Sequence, residues 1–292
     1  MNIPTEPGLY PGLTHDEYAA IDAVNHSFLV DMYQKSPLHA QYIRAMGGRD
    51  DTDALSFGRA IHLALLEPAK WDSEVLEIPK INKQSTAGKQ AWANFQRRAA
   101  GRITLEPREM ARVREIAHAI LSHESARELF KNKGVNEMTM LWIDRATGVK
   151  CKGRVDRWTT FERTPCLMDL KTCRDVKERA FQKSMVDLGY GMQAAFYLMG
   201  AETLQPIPSG AAQRVFMWLA VESDGPFDIG VFQADTKIIE HGFLQLRALL
   251  RTYKQCRETK VWPGKNGQGC VTMDNPEWVY KREPIDGQIE EI

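Results

Sequence analysis

The stretch 153-GRVDRWTTFERTPCLMDLKT-172 decides the fold. It predicts a strand that ends at Asp156, a polar turn over 159–165, and a second strand that carries Asp169 and Lys171. Residues two apart on a strand point to the same face, so the last two side chains lie together. If the strands pair, Asp156 joins them. Two carboxylates and one ammonium then converge at the strand ends, in a segment whose apolar residues are typical of a buried strand.

The segments on either side predict a mixed sheet flanked by helices. Residues 135–143 and 149–158 alternate apolar and polar residues, as half-buried strands do, and 144–148 suits a hairpin turn. A further strand pair is predicted over 213–222 and 227–235. Before this region we predict mainly helices, and after it a long helix over 236–257. The order of elements favours an α/β fold with a central mixed sheet. Predicted helices occupy these ranges: 36–46, 53–67, 86–100, 106–131, 175–187 and 190–203.

The bulk composition is that of an ordinary globular protein. The 292 residues carry 38 basic and 38 acidic side chains, so net charge gives no sign of a nucleic-acid partner, and a basic surface would have to be local. No run of about 18 apolar residues suggests a membrane span, and MNIPTEPGLYPGL lacks the apolar region of a signal peptide. The five scattered cysteines form no C-x-x-C pair, which argues against an iron–sulfur cluster and fits reduced thiols in the cytoplasm.

Other candidate residues have an ordinary structural interpretation beside the functional one. Taken alone, Asp156, Asp169 and Lys171 could form a surface salt bridge. The apolar neighbours of Asp169 instead indicate burial, which makes unpaired charge costly and favours a functional role for the cluster. His62, on the helix 53–67, could be a core histidine bonded to a carbonyl. Glu137 could be a metal ligand or a charge at the rim. Gln193 and Tyr197 share a helix face, which could be simply amphipathic or could support the site.

The segment 80–114 carries nine Lys and Arg residues against two Glu, together with Trp92 and Phe95. A solvated helix face is one interpretation. The other is a surface that tracks DNA phosphates, with strongly salt-dependent binding. The residues predicted to contact DNA are Lys83, Lys89, Arg97, Arg98 and Arg154.

Together these pieces resemble the PD-(D/E)XK nuclease superfamily, and within it the RecE-type (exonuclease VIII) branch of phage and prophage exonucleases. The resemblance covers about half of the chain, in the family's order: 54-ALSFGRAIHLALLEP-68, 153-GRVD-156, 169-DLKT-172 and 193-QAAFY-197. Val155 stands where the family usually has a proline, a change that removes no ligand.

The resemblance implies a restriction-endonuclease-like core and a role for each matched residue. It implies that His62, Asp156, Asp169 and the backbone carbonyl of Leu170 hold Mg²⁺, with Mn²⁺ as a substitute, and that Lys171 positions or activates the attacking water. Glu137 is a less secure ligand. Gln193 and Tyr197 would buttress the site.

The resulting expectation is a metal-dependent exonuclease that degrades linear double-stranded DNA from its ends, 5′ to 3′, in the bacterial cytoplasm. Residues 1–260 would form one nuclease domain, with a helical part over 1–132 and the catalytic sheet over 133–260, followed by an irregular tail over 261–292. The resemblance also implies a homo-oligomeric ring and a single-strand annealing recombinase as partner. Two alternatives stay open: a Cas4-like or RecB-like nuclease domain, and a DNA-binding or assembly module that has lost catalysis.

Overall fold

A computed structural model describes residues 3–48, 52–266 and 269–280. Its central sheet has six strands, which lie side by side in this order: β1 (Gly8–Tyr10), β4 (Val135–Ile143), β5 (Lys150–Phe161), β6 (Thr164–Cys173), β7 (Val215–Glu222) and β8 (Ile229–Gln233). β6 and β7 run parallel, and every other neighbouring pair is antiparallel. The sheet is therefore mixed, as predicted. A separate parallel pair is formed by β2 (Val75–Glu77) and β3 (Ile103–Leu105).

Helices cover the sheet and fill the N-terminal part of the chain. They are α1 (His15–Ala20), α2 (His26–Gln34), α3 (Pro37–Ala45), α4 (Asp53–Leu66), α5 (Trp71–Glu74), α6 (Thr86–Ala99), α7 (Pro107–Ser122), α8 (Glu124–Lys131), α9 (Glu178–Leu188), α10 (Tyr190–Leu204), α11 (Thr236–Thr259) and α12 (Glu277–Tyr280). A 3-10 turn, Pro68–Lys70, follows α4. None of the helices in the described ranges is both long and apolar enough to cross a membrane.

Both faces of the central sheet are buried. On β6, Leu167 belongs to the hydrophobic cluster that contains residues of α2, α10 and α11, whereas Met168 and Leu170 belong to the cluster that contains residues of α4, α7 and α8. A strand buried on both sides reads as a nearly continuous apolar run, which is what 166–170 shows around its one charged residue. Asp169, which is 3% exposed, therefore sits in a layer where only a specific partner makes its charge tolerable.

The β5–β6 connection is shorter than the sequence predicted. We expected a polar turn over 159–165, but β5 runs on to Phe161 and β6 begins at Thr164. Only Glu162 and Arg163 make the turn, with φ of 45° and 68°. Positive φ at both central residues is the geometry of the tight hairpin turn whose twist matches that of the strands. Asp156 consequently lies within β5 and not at its end.

Three other features differ from the sequence prediction. The predicted helix over 106–131 is two helices, because His123 adopts an extended conformation and its side chain caps α8. Three strands of three residues each, β1 to β3, lie in the N-terminal part that we expected to be helical. In the predicted tail, α12 is the described regular element. Upstream of it, Trp262 packs edge-on against Phe28 and Tyr253.

Candidate metal and nuclease site

The site forms where β5 and β6 separate. The two strands pair from the hairpin back to Arg157 and Met168, and the next residues along, Asp156 and Asp169, are outside the ladder. The backbone N–H of Leu170 donates instead to the side chain of Asp156, at 2.7 Å from Oδ2. Where the strands separate, the space between them holds the two carboxylates, and the backbone N–H of Leu170 still has a hydrogen-bond acceptor.

His62 reaches this pocket from α4. Its Nε2 lies 3.2 Å from the carbonyl oxygen of Leu170, and its Nδ1 lies 3.5 Å from Oδ2 of Asp156. A carbonyl oxygen can only accept, so Nε2 is the donor of this contact, and Nδ1 is the ring nitrogen that faces the carboxylate. The Leu170 carbonyl and the His62 imidazole, both of which the resemblance implies as metal ligands, therefore lie side by side.

Glu137 on β4 completes the cluster. In the described ranges, one group of His, Cys, Asp and Glu side chains could hold a metal ion: ligand atoms of His62, Glu137 and Asp156 lie within 4.8 Å of one another. The register places Glu137 opposite Asp156, between the pairs Asn136–Arg157 and Met138–Val155. Its φ is 50°, a conformation that costs about 1–3 kcal/mol for a residue with a side chain. Such local strain is typical of functional sites.

The electrostatics of the cluster favour a bound cation. Burial and the neighbouring Asp169 raise the pKa of Asp156 to about 6. Burial and Asp156 raise the pKa of Glu137 to about 8. Neighbouring negative charge therefore opposes the ionisation of both groups, and a divalent cation among them would offset that repulsion. Carboxylate and carbonyl oxygens with one imidazole are a donor set that suits Mg²⁺ or Mn²⁺.

Asp169 is held by partners on its other side. Lys171 Nζ lies 2.5 Å from its Oδ2, and Gln193 Nε2 donates to its Oδ1 at 2.8 Å. Its carboxylate is thus near Asp156 but outside the group of three that lies within 4.8 Å. The role of Asp169 as a ligand remains a prediction, whereas its contacts with Lys171 and Gln193 are present.

Lys171 is protonated in this environment. Its burial opposes the charge, but Asp169, Tyr190 and Asp156 outweigh burial and raise its pKa. The ring of Tyr190, the first residue of α10, lies under the ammonium with its centroid 4.5 Å from Nζ. Tyr190 is not among the site residues predicted from the sequence, because a tyrosine three residues before Gln193 gives no signal that its ring face meets the lysine.

Tyr197 packs behind the site. A Cβ added at Gly153 would lie 2.9 Å from Cε1 of the Tyr197 ring, so β5 can approach α10 this closely because position 153 is glycine. Burial raises the pKa of Tyr197 well above its usual range. The ring is therefore neutral and serves as packing between α10 and the strand that carries Asp156.

Four of the five residues predicted to contact DNA lie on or next to α6. Lys83, Lys89, Arg97 and Arg98 are exposed on α6 and the turn before it, and Lys83 Nζ lies 3.3 Å above the ring of Trp92. They form an exposed basic surface, which we call the α6 surface.

Arg154, the fifth residue predicted to contact DNA, makes its contacts within the protein. Its side chain is 14% exposed and donates to the backbone carbonyls of Leu13 and Thr14, at 2.8 and 2.9 Å, and to the hydroxyl of Thr139 at 3.2 Å. Its Nε also lies 4.0 Å from Glu137 Oε2. The Arg154 side chain points from β5 toward the N-terminal segment and anchors that segment beside the site. That Arg154 contacts DNA stays a prediction.

The comparisons with known proteins agree with this geometry. The model of a family described as "PDDEXK-like domain of unknown function" (DUF3799) matches residues 26–275. No curated protein matches the sequence. The fold is similar to the crystal structure of a protein from Eubacterium rectale named "putative exonuclease", with a TM-score of 0.59, 13% identity, and coverage of 95% of this chain and 96% of that one. A second crystal structure, that of SSO0001, has a TM-score of 0.34 and 14% identity, with coverage of 78% of this chain and 76% of that one.

Proposed function

Because this chain belongs to the family of PDDEXK-like domains, and so to the PD-(D/E)XK superfamily, we propose that it is a metal-dependent exodeoxyribonuclease that degrades linear double-stranded DNA from its ends. The observation that carries the proposal is the meeting of His62, Asp156, Asp169 and Lys171 where β5 and β6 separate. The name of the Eubacterium rectale protein, which shares the fold over nearly its whole length, supports the exonuclease class.

In this proposal, Nδ1 of His62 and the carboxylates of Asp156 and Glu137 hold the cation, with Asp169 and the carbonyl of Leu170 as further ligands. We propose Mg²⁺, with Mn²⁺ as a substitute because one ligand is an imidazole. When bound, the cation supplies Lewis acidity to the phosphodiester and lowers the pKa of water, which such slow hydrolysis requires.

The protonated Lys171 acts on charge in the transition state. Its ammonium is fixed between Asp169 and the Tyr190 ring, so it can donate to the attacking water or to a phosphate oxygen without reorganising when negative charge develops. Gln193 holds the other oxygen of Asp169, which keeps that carboxylate turned toward the lysine.

The α6 surface supports duplex binding outside the site. Its four cations are exposed, and the Lys83–Trp92 contact orients one of them on a rigid ring. Three finer parts of the proposal rest on the RecE resemblance: 5′ to 3′ polarity, a homo-oligomeric ring, and overhangs that pass to a single-strand annealing recombinase. A phage or prophage origin and action in the bacterial cytoplasm rest on the same resemblance.

The test is release of nucleotides from linear duplex DNA with Mg²⁺, with EDTA as the control. We expect activity that EDTA abolishes and that Asp169→Ala reduces to background, while covalently closed circular DNA stays intact. Activity that survives Asp169→Ala would contradict the site, and nicking of circles would move the assignment from exonuclease to endonuclease. A Cas4-like enzyme would be recognised by iron and acid-labile sulfide, and a silent binding module by DNA binding without hydrolysis.

A further inference from the structure

A partly buried histidine contacts the turn that supports Lys171. His26 is the first residue of α2, and its Nε2 lies 3.2 Å from the carbonyl oxygen of Gly189, which is 163 positions away in the sequence. Burial, with Lys171 nearby, lowers the pKa of His26 to about 3. The ring is neutral at working pH, and since a carbonyl can only accept, Nε2 carries the proton and donates it to Gly189.

Gly189 is where α9 ends and α10 begins. Its φ is 71°, a left-handed conformation that suits glycine, and a Cβ there would lie 3.0 Å from Cγ2 of Val30 on α2. One hydrogen bond from α2 therefore holds this turn, and Val30 of α2 leaves little room for a side chain at position 189. The carbonyl of Gly189 also accepts from the N–H of Gln193, the residue that holds Asp169.

The residue after Gly189 is Tyr190, whose ring lies 4.5 Å from Lys171 Nζ. Burial raises the pKa of Tyr190, although Lys171 opposes that shift, so the hydroxyl is neutral. The ring offers the ammonium its electron-rich face. The path from His26 to the lysine is thus one hydrogen bond, one peptide unit and one cation–π contact.

We infer that His26 is a positioning residue for the proposed hydrolysis, acting through Gly189 and the Tyr190 ring to hold the Lys171 ammonium against Asp169. This inference rests on the proposed function for its catalytic meaning, but the contacts themselves can be tested without activity. It assigns Tyr190 as the ring on which the ammonium rests. An ammonium displaced by about 1 Å from the reacting phosphate costs on the order of 100-fold in rate.

The experiment compares His26→Leu, which removes the donor, with His26→Gln, whose Nε2 can restore it. Tyr190→Leu and Tyr190→Phe form the second pair, and His118→Leu, at an exposed histidine of α7, is the matched control. Two readouts are measured for each folded variant: kcat and KM on linear duplex DNA, and the side-chain NMR resonances of Lys171 in protein without metal or DNA.

We expect His26→Leu and Tyr190→Leu each to lower kcat by about tenfold or more, with KM changed less than about twofold, and the double variant to be no slower than either single one. His26→Gln and Tyr190→Phe should stay within about threefold of the unmodified protein. The Lys171 resonances should carry an upfield ring-current shift that Tyr190→Leu abolishes, His26→Leu reduces and His26→Gln restores.

Additive losses in the double variant would overturn the inference, because the two residues would then act separately. So would Lys171 resonances that ignore His26→Leu, or a change in KM that accounts for the whole loss. If the unmodified protein cleaves no DNA while Lys171 still responds to His26, the nuclease proposal fails and the positioning contact stands.

Discussion

Replacing Asp156 by Asn should make the metal-free protein more stable while it destroys the site. Burial and Asp169 raise the pKa of Asp156 from 3.8 to about 6. One pKa unit corresponds to about 1.4 kcal/mol, so the ionised carboxylate costs the folded state on the order of 3 kcal/mol relative to the unfolded chain. Asn is neutral, and its oxygen can still accept from the N–H of Leu170.

The sign of the effect depends on pH. Below 3.8 Asp156 is protonated in both states and the penalty is absent; it grows as pH rises through the interval to about 6 and is complete above it. We therefore expect Asp156→Asn to raise the free energy of unfolding by about 3 kcal/mol at pH 8 in EDTA, which corresponds to a rise of about 5 °C in the melting temperature. At pH 4 the same substitution should raise the free energy of unfolding by less than about 1 kcal/mol.

Thermal and urea unfolding, in EDTA and in Mg²⁺, provide the assay. Asp156→Ala is the matched control: it removes the same charge but leaves the Leu170 N–H without its acceptor, which costs about 1–3 kcal/mol and should cancel most of the gain. Mg²⁺ should stabilise the unmodified protein and neither variant. Equal stabilisation by Asn at pH 4 and pH 8, or destabilisation at pH 8, would refute the electrostatic reasoning.

Three further predictions concern the lysine, the α6 surface and the packing of α10. Lys171→Ala should abolish cleavage and leave the Kd for DNA within about threefold, as measured by fluorescence anisotropy; a loss of binding equal to the loss of activity would contradict a transition-state role. Arg97→Ala combined with Arg98→Ala should weaken binding and reduce the slope of log K against log salt by about 2, and an unchanged slope would make the α6 surface a merely solvated face. Gly200→Ala should destabilise the fold by about 1–3 kcal/mol, because its Cβ would lie 2.9 Å from a tryptophan ring of β4. Gly58→Ala, whose Cβ would lie 3.4 Å from its nearest neighbour, should stabilise the fold by about 0.5–1 kcal/mol. A lower urea midpoint for Gly58→Ala than for Gly200→Ala would contradict this account of the packing.

Long periodic segments made most of the fold predictable. Strand β4 has the bounds, 135–143, that the alternation of apolar and polar residues predicted. Helix α4 was predicted over 53–67 and ends one residue earlier, at Leu66, just before the 3-10 turn that starts at Pro68. Strands of three residues, such as β1, carry too little pattern to be recognised. The turn at Glu162 and Arg163 was predicted too long, as 159–165, because it lacks the Asn-Gly pair that usually marks such hairpins.

The site was predictable where spacing along one strand fixed it, and less so where distant elements meet. Asp169 and Lys171 are two apart on β6 and do form an ion pair. The approach of His62 to Asp156 depended on the resemblance, since nothing in local pattern relates α4 to β5. The strained φ of Glu137, the contacts of Arg154 with the N-terminal segment and the contact of His26 with Gly189 arise from tertiary packing, which local pattern does not encode.

The most direct test of the metal site is a crystal of the protein soaked in Mn²⁺ and measured for anomalous scattering. The account predicts a peak coordinated by Nδ1 of His62 and a carboxylate oxygen of Asp156, within reach of Glu137 and the carbonyl of Leu170. A peak bound elsewhere, or none at this cluster in crystals whose protein cleaves DNA with Mn²⁺, would contradict it.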